Sequence, residues 1–129
     1  MVSIVLAQSG DLVLLGVAGV KRAASIGFLG LATLVLAQSL DLVTFSVMVG
    51  RRGVAAELNP LVGGMYVHLG MRAIVAAKIL LIVLVGALAI AGWARGGRGV
   101  WWLVGAIPVA IAIAFGLIGG YTNALAYLG

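Results

Sequence analysis

Long apolar runs alternate with short clusters of charge along this chain. Runs near 2–20, 26–50, 71–93 and 100–127 are separated by Lys21-Arg22, by Arg51-Arg52 with the mixed stretch behind it, and by Arg95 and Arg98. A membrane-crossing helix needs roughly 20 apolar residues, and each run is long enough. The pattern predicts an all-α, polytopic membrane protein. Its four transmembrane helices form a small bundle, a single domain over 1–129, with one longer and partly irregular connector at about 51–70. The few residues ahead of Ala7-Gln8 are too short for the n-region and h-region of a signal peptide. Residue 1 is therefore expected to open a retained first span.

Composition strengthens this reading. With 64% hydrophobic and only 9% charged residues, the chain departs far from the roughly 25% charge of soluble domains. The formal net charge of +5 would suggest nucleic acid in a soluble protein. Here Lys21, Arg22, Arg51, Arg52, Arg95 and Arg98 fall at helix ends, where basic residues act as topology signals. Membrane lipids are the expected partners, and nucleic acid is not. The absence of cysteine removes disulfides, thiolate metal sites and cysteine nucleophiles from consideration.

Two stretches repeat. Val5-Leu6-Ala7-Gln8-Ser9-Gly10-Asp11-Leu12-Val13 returns as Val35-Leu36-Ala37-Gln38-Ser39-Leu40-Asp41-Leu42-Val43, and a basic pair follows each copy. Duplication of one helix and chance similarity between apolar segments both account for this.

In the second run, Gly27, Gly30, Leu34, Ala37, Asp41, Thr44 and Met48 recur at spacings of three and four, forming one stripe of mostly small or polar residues. Helix packing explains the small members, because close backbone approach holds helices together where lipid offers no hydrophobic drive. It does not explain an aspartate, which costs about 2.5–3.5 kcal/mol at mid-membrane on insertion scales. Asp41 is expected to face the bundle and to have a partner. Lys78 is the candidate. The second and third helices run antiparallel from the same connector, and at about 1.5 Å per residue Asp41 and Lys78 both lie roughly 10–12 Å deep.

The connector mixes Glu57, Asn59, Pro60, Gly63, Gly64, Tyr66 and His68. Pro60 disfavours helix at Asn59, and Gly63-Gly64 permits a sharp re-entry. The expectation is a cap of Glu57, Asn59 and Pro60 over the polar stripe, helical toward its apolar end. His68 and Arg72 are expected at the membrane interface, with Arg72 extending its charge toward water. In the last run Pro108 can bend the helix. Ala112, Gly116, Gly120 and Ala124 form a packing row, and Asn123 enters the bundle toward the level of Asp41.

Two signals set the orientation. Lys21, Arg22, Arg95 and Arg98 outweigh Arg51, Arg52 and Arg72, which Glu57 partly offsets. Trp93, Trp101 and Trp102 gather at the first boundary and Tyr66, Tyr121 and Tyr127 at the other, as interfacial aromatic belts do. Basic residues favour the cytoplasmic side, so both termini and the Glu57 connector are expected outside the cytoplasm of a prokaryotic inner or plasma membrane.

Asp41-x-x-Thr44 in one helix, Glu57-x-Asn59-Pro60 after it, Lys78 in the next and Asn123 late in the last form a pattern. It resembles a family of small prokaryotic integral-membrane proteins of unknown function. The resemblance covers about residues 26–127 and implies a three-helix core to which the first run is an addition. It implies that these polar positions matter but supplies no activity, and Arg51-Arg52 beside the acidic connector departs from the pattern.

There is no H-E-x-x-H helix, no G-x-S-x-G turn and no G-x-x-x-x-G-K-[ST] phosphate loop. His68 lacks a second histidine, and neither metal nor cofactor is expected. Asp41, Thr44, Glu57, Asn59, Lys78 and Asn123 remain as one polar constellation with three possible roles. In order of preference these are a structural network, an ion or proton translocation site, and an enzyme site with Glu57 as base near a lipid head group. Four thin helices enclose little volume. The expected function is therefore a structural or accessory membrane protein, self-associating as a homo-oligomer or docking to a larger membrane complex. The alternative is an oligomeric transporter or channel using Asp41 and Lys78. An enzyme is the least favoured reading.

Overall fold

The computed structural model describes the backbone of residues 2–95 and 99–129, and side chains from Ser25 onward within those ranges. Three long helices account for nearly all of it: α1 (Val2–Arg52), α2 (Pro60–Ala94) and α3 (Val100–Leu128), with a 3-10 turn at Val54–Ala56 between the first two. The segments Ser25–Arg52, Pro60–Ala94 and Val100–Leu128 are each long and apolar enough to cross a bilayer. The molecule is an all-α, multi-pass membrane protein.

Among the described residues the long helices number three, not the four expected from the apolar runs. The first two runs belong to one continuous helix of 51 residues that passes through Lys21-Arg22 without a break. A charge cluster interrupts hydropathy but leaves the backbone ladder intact. Lys, Arg and Ala are all strong helix formers, and the stretch 21–25 holds neither glycine nor proline. Gly53 does end α1. Its φ of 75° and ψ of 171° lie where glycine is tolerated and other residues are strained, and its N–H donates to Val49 O at 3.0 Å. With three crossings, the Ser25 end of α1 and the C-terminal end of α3 lie at opposite ends of the bundle.

The connector is ordered by local capping. Asn59 is the N-cap of α2, its side chain accepting from the Leu61 N–H at 3.1 Å, and Pro60 takes the first helical position. Proline is preorganised there, where its missing N–H would have no partner within the helix. Gly63-Gly64, expected to form a re-entry bend, is helical. The break comes at Gly70, whose φ of 76° and ψ of −178° lie outside the helical region and divide α2 into arms 60–69 and 71–94. The connector expected at 51–70 is thus a 3-10 turn, an extended link and a short helical arm. In α3 the helix continues through Pro108.

Packing follows the small-residue stripes. Gly27, Leu34, Ala37, Asp41 and Met48 of α1 are buried, as are Gly105, Val109, Ala112, Gly116, Gly120 and Asn123 of α3. At one end Leu34, Val85, Ala89, Val109 and Ala112 make an apolar core, with Trp93 packed against it. At the other, Phe45, Met48 and Ile74 gather beneath the short arm of α2. Phe45 meets Tyr66 edge to face, ring centroids 5.8 Å apart, and Arg51 lies over the Tyr127 ring at 4.6 Å. Trp93, next to the last residue of α2, packs between the helices. A Cβ on Gly27 would stand 2.9 Å from its ring.

Candidate functional site

Four polar side chains from three helices meet in the middle of the bundle. Gln38 and Asp41 lie three residues apart on α1, and that spacing puts them on one helical face. Lys78 comes from α2 and Asn123 from α3. The Lys78 ammonium donates to Asp41 Oδ2 and to Gln38 Oε1 at 2.8 Å. Asn123 Nδ2 donates to Asp41 Oδ1 at 2.9 Å. Gln38 Nε2 completes the chain by donating to the Ala112 carbonyl of α3 at 2.6 Å. Each carboxylate oxygen of Asp41 therefore accepts from a different helix.

Burial makes this geometry consequential. Gln38 is 1% exposed, and the Lys78 and Asp41 side chains retain 23% and 13%. In a poorly screened interior, charge-assisted hydrogen bonds strengthen and unpaired groups become costly. Gly119 makes room for the acid, since a Cβ there would stand 2.5 Å from Asp41 Oδ1. Gly116 does the same one turn earlier, where a Cβ would stand 2.9 Å from the Ala37 carbonyl carbon and from Gln38 Nε2.

The other expected site residues are distributed around this centre. Thr44 turns its hydroxyl back onto its own helix, donating to Leu40 O at 2.9 Å and to Asp41 O at 3.1 Å. Glu57 Oε1 accepts from the Asn59 N–H at 2.7 Å, so Glu57 and Asn59 stabilise their own turn. His68 and Arg72 are exposed and stand apart from the cluster.

Beside the cluster lies a cavity of about 570 Å³. Asp41, Lys78 and Asn123 form its polar floor, and Glu57 and Asn59 line it from the connector. Its walls are apolar: Leu42 and Phe45 from α1, Ile74 and Leu81 from α2, Phe115 and Ile118 from α3, and Val62 and Met65 from the short arm. Ligand sites typically enclose about 300–1,000 Å³ between mostly apolar walls with a few convergent polar groups. Among the described residues, no three of His, Cys, Asp and Glu come together as a metal site.

Gln38 was not among the expected site residues, although the sequence held two signals for it. It occurs in both copies of the repeat, and it lies on the Asp41 face. Gly119 carries no such signal, because its role depends on where Asp41 points. Comparison with protein-family models, with curated proteins and with solved structures returns no match to this chain.

Proposed function

We propose that the chain is a small accessory protein of a prokaryotic cell membrane, a three-helix unit that self-associates or docks to a larger membrane complex. Its polar cluster fixes the register of the helices. The observation behind this reading is that the two charges find their partners within the cluster: Lys78 is accepted by Asp41 and Gln38, and Asp41 also accepts from Asn123. A buried pair satisfied in this way specifies which faces meet more than it adds stability. Ala112, Gly116 and Gly120 are packed against α1, so association uses other faces than this small-residue row. The basic residues at 21–22 and 95–98 orient the Glu57 connector and the C-terminal end away from the cytoplasm. A cysteine placed at position 55 is then expected to react with an impermeant thiol reagent in intact cells, and protection there would reverse the orientation.

Charge removal tests the structural role. Asp41→Asn or Lys78→Met alone leaves a partly buried charge without its partner, at a cost of about 3–5 kcal/mol. The double variant leaves none and is expected to recover most of that loss in unfolding from mixed micelles. Equal destabilisation by the single and double variants would sink the register role. Purification in mild detergent is expected to yield a defined homo-oligomer or a stoichiometric complex, and recovery of a dispersed monomer alone would argue against the accessory role.

A second reading is supported by the cavity, which reaches both charges. In it, copies of the chain assemble as a transporter or channel, with Asp41 and Lys78 exchanging a proton or ion. Flux into proteoliposomes that survives in the charge-free double variant would eliminate this reading.

A further inference from the structure

The cavity beside the polar cluster has a charge imbalance that the cluster does not cancel. Three formally charged side chains line it: Asp41, Lys78 and Glu57. Asp41 and Lys78 neutralise one another on the floor. Among the described residues Glu57 has no cationic partner within ion-pair distance. One of its oxygens accepts a backbone N–H, and a carboxylate has further acceptor capacity on both oxygens. The basic residues at this end do not line the cavity. Arg51 lies over Tyr127, and Arg52, His68 and Arg72 are exposed.

Shape adds a second constraint. Between Glu57 and the far end of the cavity the walls are formed by Phe45, Ile74, Leu81, Phe115 and Ile118, which offer hydrophobic and aromatic contact but no further charge. Phe115 is 69% exposed and Ile118 60%, so this side faces outward between helices that span the bilayer. A ligand reaching the cavity through the lipid meets apolar surface first and a single carboxylate at the connector. Aromatic faces favour cations, and an anion would approach the uncompensated carboxylate at a cost.

We infer that the cavity is a binding site for a lipophilic organic cation, with the cationic centre held at Glu57 and the apolar substituents between α2 and α3. The Asp41–Lys78 cluster positions the floor and is not the cation's counter-charge. The site does not depend on whether the chain self-associates.

Tetraphenylphosphonium and tetraphenylborate share a shape and differ in the sign of charge, which makes them suitable probes. Radiolabelled tetraphenylphosphonium is expected to bind the purified full chain saturably in dodecyl maltoside, and tetraphenylborate is expected not to displace it. Glu57→Gln keeps an oxygen for the Asn59 N–H while removing the charge. It is expected to weaken binding at least tenfold with an unchanged thermal melt by circular dichroism. Ala77→Phe, which adds bulk to the wall and leaves every charge in place, is expected to weaken binding as well. Absence of saturable binding, undiminished binding by Glu57→Gln, or equal displacement by tetraphenylborate would overturn the proposal. Displacement by short-chain phosphatidylethanolamine at matching concentration would also overturn it, reassigning the cavity to a lipid head group.

Discussion

The same three helices meet in opposite ways at the two ends of the bundle. At the tryptophan end α2 and α3 touch backbone to backbone. A Cβ on Gly92 would stand 2.8 Å from both Gly105 N and Trp101 O, and one on Gly105 would stand 2.9 Å from Ala89 O. At the other end Ile74 of α2 still packs on Phe45 and Met48 of α1, but a cavity lies among the helices and Lys78 reaches from α2 to Asp41 and Gln38. Apolar burial gives little drive for helix association in lipid. Spacing is then set by what stands between the helices. Glycine lets them close, while in the proposed reading a charged pair with its hydrogen-bonding neighbours selects which faces meet.

The contrast can be broken from either end. The loss of either charge at the open end, at about 3–5 kcal/mol, is the largest effect expected, and next comes the closed end, where Gly92→Ala puts a methyl group against backbone that cannot swing aside. Overpacking of this kind costs about 1–3 kcal/mol, and the upper part of that range is expected in unfolding from mixed micelles. A Gly92→Ala protein as stable as the parent would show that the closed end has slack. A smaller effect is expected from Gln38→Leu, which removes the bridge from Lys78 to the Ala112 carbonyl but leaves Asp41 as the partner of Lys78. The loss is expected at about 1–2 kcal/mol, the range for a buried hydrogen-bond partner. A cost below that of Gly92→Ala supports the comparison. A cost as large as that of Lys78→Met would mean that Gln38, not Asp41, anchors the ammonium.

Much of this architecture was legible in the sequence, and the omissions have physical causes. The apolar runs at 71–93 and 100–127 end within one or two residues of the helical segments, because connector glycines and charge clusters coincide there. Counting residues from the connector placed Asp41 and Lys78 at one depth, and their side chains meet in the structure. The separate first helix was misread because hydropathy responds to Lys21-Arg22 and the helical ladder does not. The bend at Gly70 was assigned instead to Gly63-Gly64, since glycine permits a left-handed conformation without requiring one. The cavity was not legible at all. It depends on the splay of three helices and on the short arm of α2, neither of which periodicity encodes.

The polar cluster also has a direction in time. Lys78 follows Asp41 by 37 residues and Asn123 follows it by 82, so a chain made from its N-terminus presents the acid long before either donor exists. During biosynthesis α1 holds Asp41 with no answering ammonium until α2 has been delivered, and the second carboxylate oxygen waits for the last turns of α3. A nascent chain halted before residue 123 would therefore be left with an acid that only partly matches its surroundings.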